Sequence, residues 1–182
     1  MPAIYILGAS GSGTSTLGRA LAEQLACNWI DTDRIYWEQT DPPFQTERPY
    51  DERRRLMDEA IRENPDFVLS GWMGRFGDAY ISRFHLIVWI HTPTELRITR
   101  LKARESAHFG ERILPGGDMY ETHQDFLDYA KQYDDGGLDI RSYARIKEWL
   151  EQAVCPVLEM DGCRDTEALA AEVLLKLKEI AD

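Results

Sequence analysis

The sequence predicts an α/β fold in which five parallel strands carry helices on both faces and one helical insertion. Three observations predict it. Short apolar runs alternate with helical patterns along most of the chain, an order that builds a parallel sheet covered on both sides. The first run, residues 4–7, passes straight into a glycine-rich turn and then into a helical pattern. The fourth run, residues 85–90, is apolar at nearly every position, as a strand buried on both faces must be.

The turn after the first strand reads Gly8-Ala9-Ser10-Gly11-Ser12-Gly13-Thr14-Ser15-Thr16. The spacing of Gly8, Gly13 and Ser15 is that of the phosphate-binding loop G-x-x-x-x-G-K-[ST], with Thr14 standing where the pattern has lysine. In such a loop the glycines let backbone N–H groups turn inward around an anion, and the following helix points its positive end at the same place. The Ser15 hydroxyl is placed to ligate Mg²⁺. A rival is the dinucleotide loop G-x-G-x-x-G, and Asp31 does lie about 20 residues on, as that fold requires. Its third glycine, however, would fall on Thr16. A plain tight turn leaves the flanking strand and helix unexplained.

The helix after the loop carries Leu17, Ala20, Leu21 and Leu25 at helical spacing, with Arg19 and Glu23 on its other side, and should end near Cys27. Residues 28–31 form a second short strand that closes on Asp31-Thr32-Asp33. Carboxylates just past a strand's C-terminal end face the ligand crevice of an open α/β sheet, although Asp also favours turns and caps. Asp33 is the candidate. Residues 34–49 make a long loop with Tyr36, Trp37 and Phe44, rings that either stack on a ligand or pin the loop to the core.

A helix follows over residues 50–63 with Leu56, Met57, Ala60 and Ile61 inward, stopped by Asn64-Pro65. Its run Arg53-Arg54-Arg55 is either a solvated face or an anion clamp. The third strand, residues 67–69, closes on Ser70-Gly71-Trp72, and Gly74, Arg75 and Gly77 continue the loop. After the fourth strand, Thr92-Pro93-Thr94-Glu95 reads as a capping box with proline at the first helical position. Leu96 and Leu101 should face in, while Arg97, Arg100 and Arg104 fall on one face.

From residue 105 to 142 the strand–helix alternation lapses, punctuated by Gly110, Pro115, Gly116, Gly117, Gly136 and Gly137. This reads as a helical lid built on a helix over about 118–134. His108, His123 and Asp118 lie here without metal-ligand spacing and are expected as surface or packed residues. A helix over about 139–152, a fifth strand at Val157 and Leu158 ended by Asp161-Gly162, and a last helix with Leu169, Val173, Leu177 and Ile180 complete the chain.

At 182 residues and 43% hydrophobic content, one compact domain is expected. Its core comprises residues 1–104 and 143–182, with an acceptor-binding segment at about 34–64 and the lid at 105–142. A net charge of −11 with no basic tail argues against a nucleic-acid partner. Cys27, Cys155 and Cys163 show no ligand spacing and suit reduced thiols in a cytoplasmic protein. No run approaches about 18 apolar residues, so neither a membrane span nor a signal peptide is expected. Lysine is absent before Lys102. A cation that completes the phosphate site must therefore be an arginine from elsewhere in the chain.

Along nearly its whole length the chain resembles the nucleoside monophosphate kinase group of P-loop proteins, adenylate-kinase-related proteins in particular. The resemblance implies the three-layer P-loop NTPase fold. It implies that Gly8, Ser10, Gly11, Ser12, Gly13, Thr14, Ser15 and Thr16 hold the phosphates of ATP. Ser70-Gly71-Trp72 with Arg75 is similar to the group's third-strand Asp-Gly-Phe-Pro-Arg segment, whose arginine meets phosphate. Residues 87–104 resemble the fourth strand and the helix leading into the lid, with Arg97 and Arg100 near the transferred phosphoryl group. Asp31-Thr32-Asp33 is also similar to the second-strand segment of shikimate kinases, whose carboxylates serve metal and acceptor hydroxyl. The departures are Thr14, Ser70 for an acidic residue, Arg75 one place late, and an unfamiliar lid.

The expected activity is an ATP-dependent phosphotransferase acting on a small metabolite or nucleoside monophosphate. Mg²⁺ would sit on Ser15 and Asp33, and Asp33, Arg75, Arg97 and Arg100 would be catalytic. Thr14 motivates an alternative, a nucleotide-binding sensor that barely turns over. An NAD-linked oxidoreductase is a distant third. The sequence does not reveal the oligomeric state.

Overall fold

The computed structural model describes residues 2–181. Its centre is a parallel sheet of five strands: β1 (Ala3–Gly8), β2 (Asn28–Asp31), β3 (Phe67–Ser70), β4 (Leu86–His91) and β5 (Val157–Asp161), in the order β2-β3-β1-β4-β5. The apolar runs become strands because each can bury both its faces. Ala3, Tyr5 and Leu7 of β1 point into one core with Ile87 and Trp89 of β4. Ile4 and Ile6 point into the other with Val68, Leu86 and Val88. Alternation along β1 therefore feeds two cores, and all six of its residues are buried.

The helices close both faces. α1 (Thr14–Leu25) and α7 (Thr166–Ala181) cover one side, Leu17, Leu21, Leu169 and Val173 packing onto Ile4 and Ile6. α2 (Thr32–Tyr36), α3 (Tyr50–Glu63) and α6 (Tyr143–Leu150) cover the other through Ile35, Met57, Ile146 and Trp149. A 3₁₀ helix over Gly74–Arg83 adds Phe76 and Tyr80 to the same side. Ile180, expected inward, is exposed at the end of α7.

The segment between β4 and β5 is helical. α4 (Thr94–Phe109) runs past residue 105, where the alternation lapses in the sequence. α5 (Tyr120–Lys131) turns back along it, and Leu101, Leu127 and Ala130 form a small third cluster between them. α6 begins at Tyr143 rather than near 139, because the Ser142 hydroxyl accepts the Arg145 N–H at 3.0 Å and caps it there. His123 is packed in the interior 3.8 Å from the Glu105 carboxylate, and no cluster of metal-ligating side chains occurs among the described residues.

Candidate phosphate-binding site

β1 ends at Gly8, and residues 9–13 turn the chain into α1. Three glycines make this turn possible. A β-carbon at Gly8 would meet the Ile90 carbonyl at 2.6 Å and the Ser12 hydroxyl at 2.7 Å. Gly11 has φ +81° and would strike the Arg97 carbonyl at 2.7 Å. Gly13 has φ +101° and faces open space, with nothing within 4 Å. The first two leave no room for a side chain, and Gly11 and Gly13 both adopt a left-handed backbone.

The hollow above Gly13 is set up for an anion. No side chain caps α1, and its first turn carries no acidic residue, so its leading N–H groups keep their donors and their positive field. The Ser12 hydroxyl is buried with no hydrogen-bond partner among the described residues. A polar atom buried without a partner costs stability, which a bound acceptor would recover. The donor set therefore fits a polyphosphate. Ser15 is half-buried on the first turn and Thr16 is exposed, whereas Thr14 is buried, a short neutral side chain that carries no charge to the hollow.

The loop is braced from behind. The Thr92 hydroxyl donates to the Ser12 carbonyl at 3.3 Å. That use replaces the capping box expected at residues 92–95: Pro93 is the cap residue, α4 begins at Thr94, and no side chain caps it. The turn after β5 packs on the same spot, where a β-carbon at Gly162 would lie 2.0 Å from Thr92 Oγ1 and 3.0 Å from the Ser12 carbonyl.

The arginines sort differently from the expected stripe. Arg97 is fully buried. Its Nε donates to the Thr92 carbonyl at 3.0 Å, Nη1 to the carbonyls of Ala130 at 3.0 Å and Ser10 at 3.5 Å, and Nη2 to the Thr94 hydroxyl at 2.7 Å and the Asp134 carboxylate at 3.2 Å. All five N–H groups of the fork are spent on protein acceptors. Arg97 thus braces the back of the loop instead of facing a phosphoryl group, a correction to its catalytic expectation. Arg100 donates to the Gly162 carbonyl at 3.0 Å and holds the β5 turn, and Arg104 pairs with Glu105 at 2.7 Å. The three share a helix face but reach three different partners.

Arg75 is exposed on the 3₁₀ helix and makes no hydrogen bond or ion pair among the described residues. Arg53, Arg54 and Arg55 are engaged within their own region. Arg53 lies 3.8 Å over the Tyr36 ring and pairs with Glu47, Arg54 meets the Tyr50 and Tyr80 hydroxyls, and Arg55 pairs with Glu59. Trp37 meets Phe44 edge-on at 6.2 Å, so these rings pack on each other.

At the end of β2, Asp31 caps α2 by accepting the Asp33 N–H at 3.1 Å. Burial, reinforced by the nearby Asp33 carboxylate, pushes the Asp31 carboxyl above its usual range. Asp33 itself is exposed.

One arginine was not singled out in the sequence. Arg141 lies between α5 and α6, far from the loop in the chain, yet its Nη1 donates to the Ser10 hydroxyl at 3.3 Å and its Nη2 to the Gly8 carbonyl. The only sequence signal for it was the missing lysine, which called for an arginine without saying which.

A parallel sheet with helices on both faces and a glycine loop between β1 and α1 defines an α/β P-loop protein. The chain belongs to the AAA domain family, whose model matches residues 4–112, more than half of it. It is 40% identical over 165 residues to the uncharacterized protein YqaC of Bacillus subtilis strain 168, covering 90% of this chain and 91% of that protein. A shikimate kinase of Chlorobium phaeobacteroides strain BS1 is 36% identical over 125 residues, 65% of this chain and 62% of that one. Among solved structures, shikimate kinase from Acinetobacter baumannii in complex with shikimate shares the fold at TM-score 0.58 and 20% identity, covering 98% of this chain and 94% of that one. The expected P-loop kinase resemblance and fold class hold. It is the shikimate kinase side of that resemblance, not adenylate kinase in particular, that these relatives support.

Proposed function

We propose that the protein is an ATP-dependent phosphotransferase that moves the γ-phosphate to a small-molecule acceptor. The observation that carries this is the start of α1, an uncapped helix N-terminus that faces open space at Gly13 beside the buried, unpartnered Ser12 hydroxyl. Residues 8–16 would hold the phosphates, and Ser15 with Asp33 would hold Mg²⁺. The metal, when bound, neutralises charge that builds up on the transferred group. Asp33, exposed beside Asp31 at the sheet's C-terminal edge, would meet the acceptor hydroxyl, and Arg75 is free to approach the acceptor side. The helical segment 105–142 would act as a lid and residues 34–64 as the acceptor-binding part, in a cytoplasmic protein without nucleic-acid or membrane partners. Relatives that act on shikimate favour a small metabolite over a nucleotide as acceptor. No helix among the described residues is long and apolar enough to cross a membrane.

The test is calorimetric titration with Mg-ATP, followed by ³¹P NMR of ATP with a panel of hydroxylated acids and nucleoside monophosphates. Saturable binding and acceptor-dependent ADP release are expected. Absence of ATP binding would remove the proposal. Binding without turnover on any acceptor would move the reading to a nucleotide sensor, for which Thr14 is the motive.

A further inference from the structure

A phosphate loop ordinarily carries a lysine whose ammonium reaches the β- and γ-phosphates. Here that position is Thr14, and no lysine precedes Lys102. Two arginines touch the loop. Arg97 does so from behind, with every donor engaged. Arg141 contacts the loop at its first glycine and at Ser10.

Three features of Arg141 point to an anion. Its Nε–H is buried with no partner among the described residues. The fork has five N–H groups, of which two bonds to the loop account for two. No carboxylate pairs with Arg141 among the described residues. The phenols of Tyr5 and Tyr133 feel its charge, and burial keeps both neutral by raising them above the usual range. A half-buried guanidinium without a counter-ion in the protein gains most from an anionic ligand.

Its position is also held. The Arg141 N–H donates to the Tyr129 hydroxyl at 3.1 Å, tying it to α5. The neighbouring Ser142 hydroxyl donates to the Gly137 carbonyl at 2.7 Å while capping α6. The guanidinium is thus carried by the segment that joins α5 to α6, held in place by the bonds of Arg141 and Ser142 where it enters α6.

We propose that Arg141 supplies, from the far side of the helical insertion, the phosphate-binding cation that residue 14 lacks. The loop is then complete only when the segment joining α5 to α6 is docked, so that nucleotide binding and docking of that segment are one event. This rests on the reading of residues 8–16 as a nucleoside triphosphate site, and it names the residue that makes that site competent.

The experiment is calorimetric titration of the full chain with the magnesium complexes of ATP and ADP, and with AMP. Wild-type protein should prefer ATP and ADP to AMP. Arg141→Ala should weaken ATP by about 10–100-fold, the worth of a charge-assisted hydrogen bond, and leave AMP unchanged. Arg141→Lys should keep most of the affinity. Adding Thr14→Lys to Arg141→Ala should restore ATP binding, which a purely structural role for Arg141 would not allow. If Arg141→Ala does not fold by circular dichroism, Arg141→Gln carries the same comparison. Equal ATP affinity in wild type and Arg141→Ala, or a parallel loss for all three nucleotides that Thr14→Lys does not repair, overturns the assignment while leaving the site intact. A wild type that binds none of the three overturns both.

Discussion

Arg97 shows at the scale of one residue how context decides what a side chain does. Its guanidinium is buried under the loop, and its ion partner Asp134 is half exposed. Replacing it by Met would leave the carbonyls of Thr92 and Ala130 without donors, at about 1–3 kcal/mol each for a buried unsatisfied group. Asp134 keeps water, so losing the ion pair adds little. Arg97→Met should therefore cost about 2–6 kcal/mol in urea unfolding, with turnover falling only as folded protein is lost. A stable, folded variant that no longer turns over would return Arg97 to the reaction. Asp31 carries the opposite lesson. Its carboxyl is raised by burial and by Asp33, so the folded state is favoured while Asp31 is protonated and loses that advantage as pH rises through the raised pKa. Asparagine caps a helix equally well. Asp31→Asn should therefore raise the melting temperature at about pH 7, and the gain should fade as pH falls through the carboxylate range. A constant gain at every pH would exclude the ionisation as its cause.

At the scale of the element, the loop's glycines make separable predictions. An alanine at Gly13 has room but must adopt φ +101°, so Gly13→Ala should cost about 1–2 kcal/mol of stability while blocking the anion's space. Gly11→Ala meets the same backbone penalty and also the Arg97 carbonyl, so it should be distinctly less stable. Thermal melts with and without Mg-ATP separate the two: Gly13→Ala should fold yet show no nucleotide-dependent shift. A normal shift in Gly13→Ala would mean that the hollow is not the site. The insertion makes a kinetic prediction. α5 is held to α4 by a small apolar cluster and by the Arg97 bond to the Ala130 carbonyl, whereas residues 132–142 are mostly turns, held to α4 through Asp134. Hydrogen exchange in 132–142 should slow on adding Mg-ATP, because the same segment carries Arg141. Unchanged exchange would leave the insertion a fixed decoration.

At the scale of the whole molecule, 32 acidic against 21 basic side chains leave a net charge of −11. Such an excess strains the compact state through self-repulsion. Monovalent salt should raise the unfolding midpoint, with most of the rise reached by about 0.15 M, where the screening length is about 8 Å. A midpoint that falls would mean that the surface ion pairs outweigh the repulsion. The sheet itself should be insensitive to salt, because β1, β3 and β4 are held by burial on both faces.

The sequence by itself determined the sheet, the loop and the order of the elements, because each depends on residues close together. Alternation along residues 3–8 is enough to bury two faces, and a glycine at φ +101° is required wherever a strand turns so sharply into a helix. It also established that the loop lacks a lysine and that any cation completing the phosphate site comes from an arginine elsewhere in the chain. Which arginine reaches the front of the loop was decided only by tertiary structure. Arg97 and Arg100 have the right spacing on α4, but helical spacing says which residues share a face and not what the face meets. Packing of α5 against α4 buried Arg97 beneath the loop, and the β5 turn took Arg100. Arg141 is 131 residues from Ser10 in the chain, and nothing local marks it; it reaches the loop only because α5 folds back along α4 and the chain then enters α6 at Ser142, right after Arg141. Contacts within an element are written in its period, whereas contacts between distant elements exist only once the cores have closed.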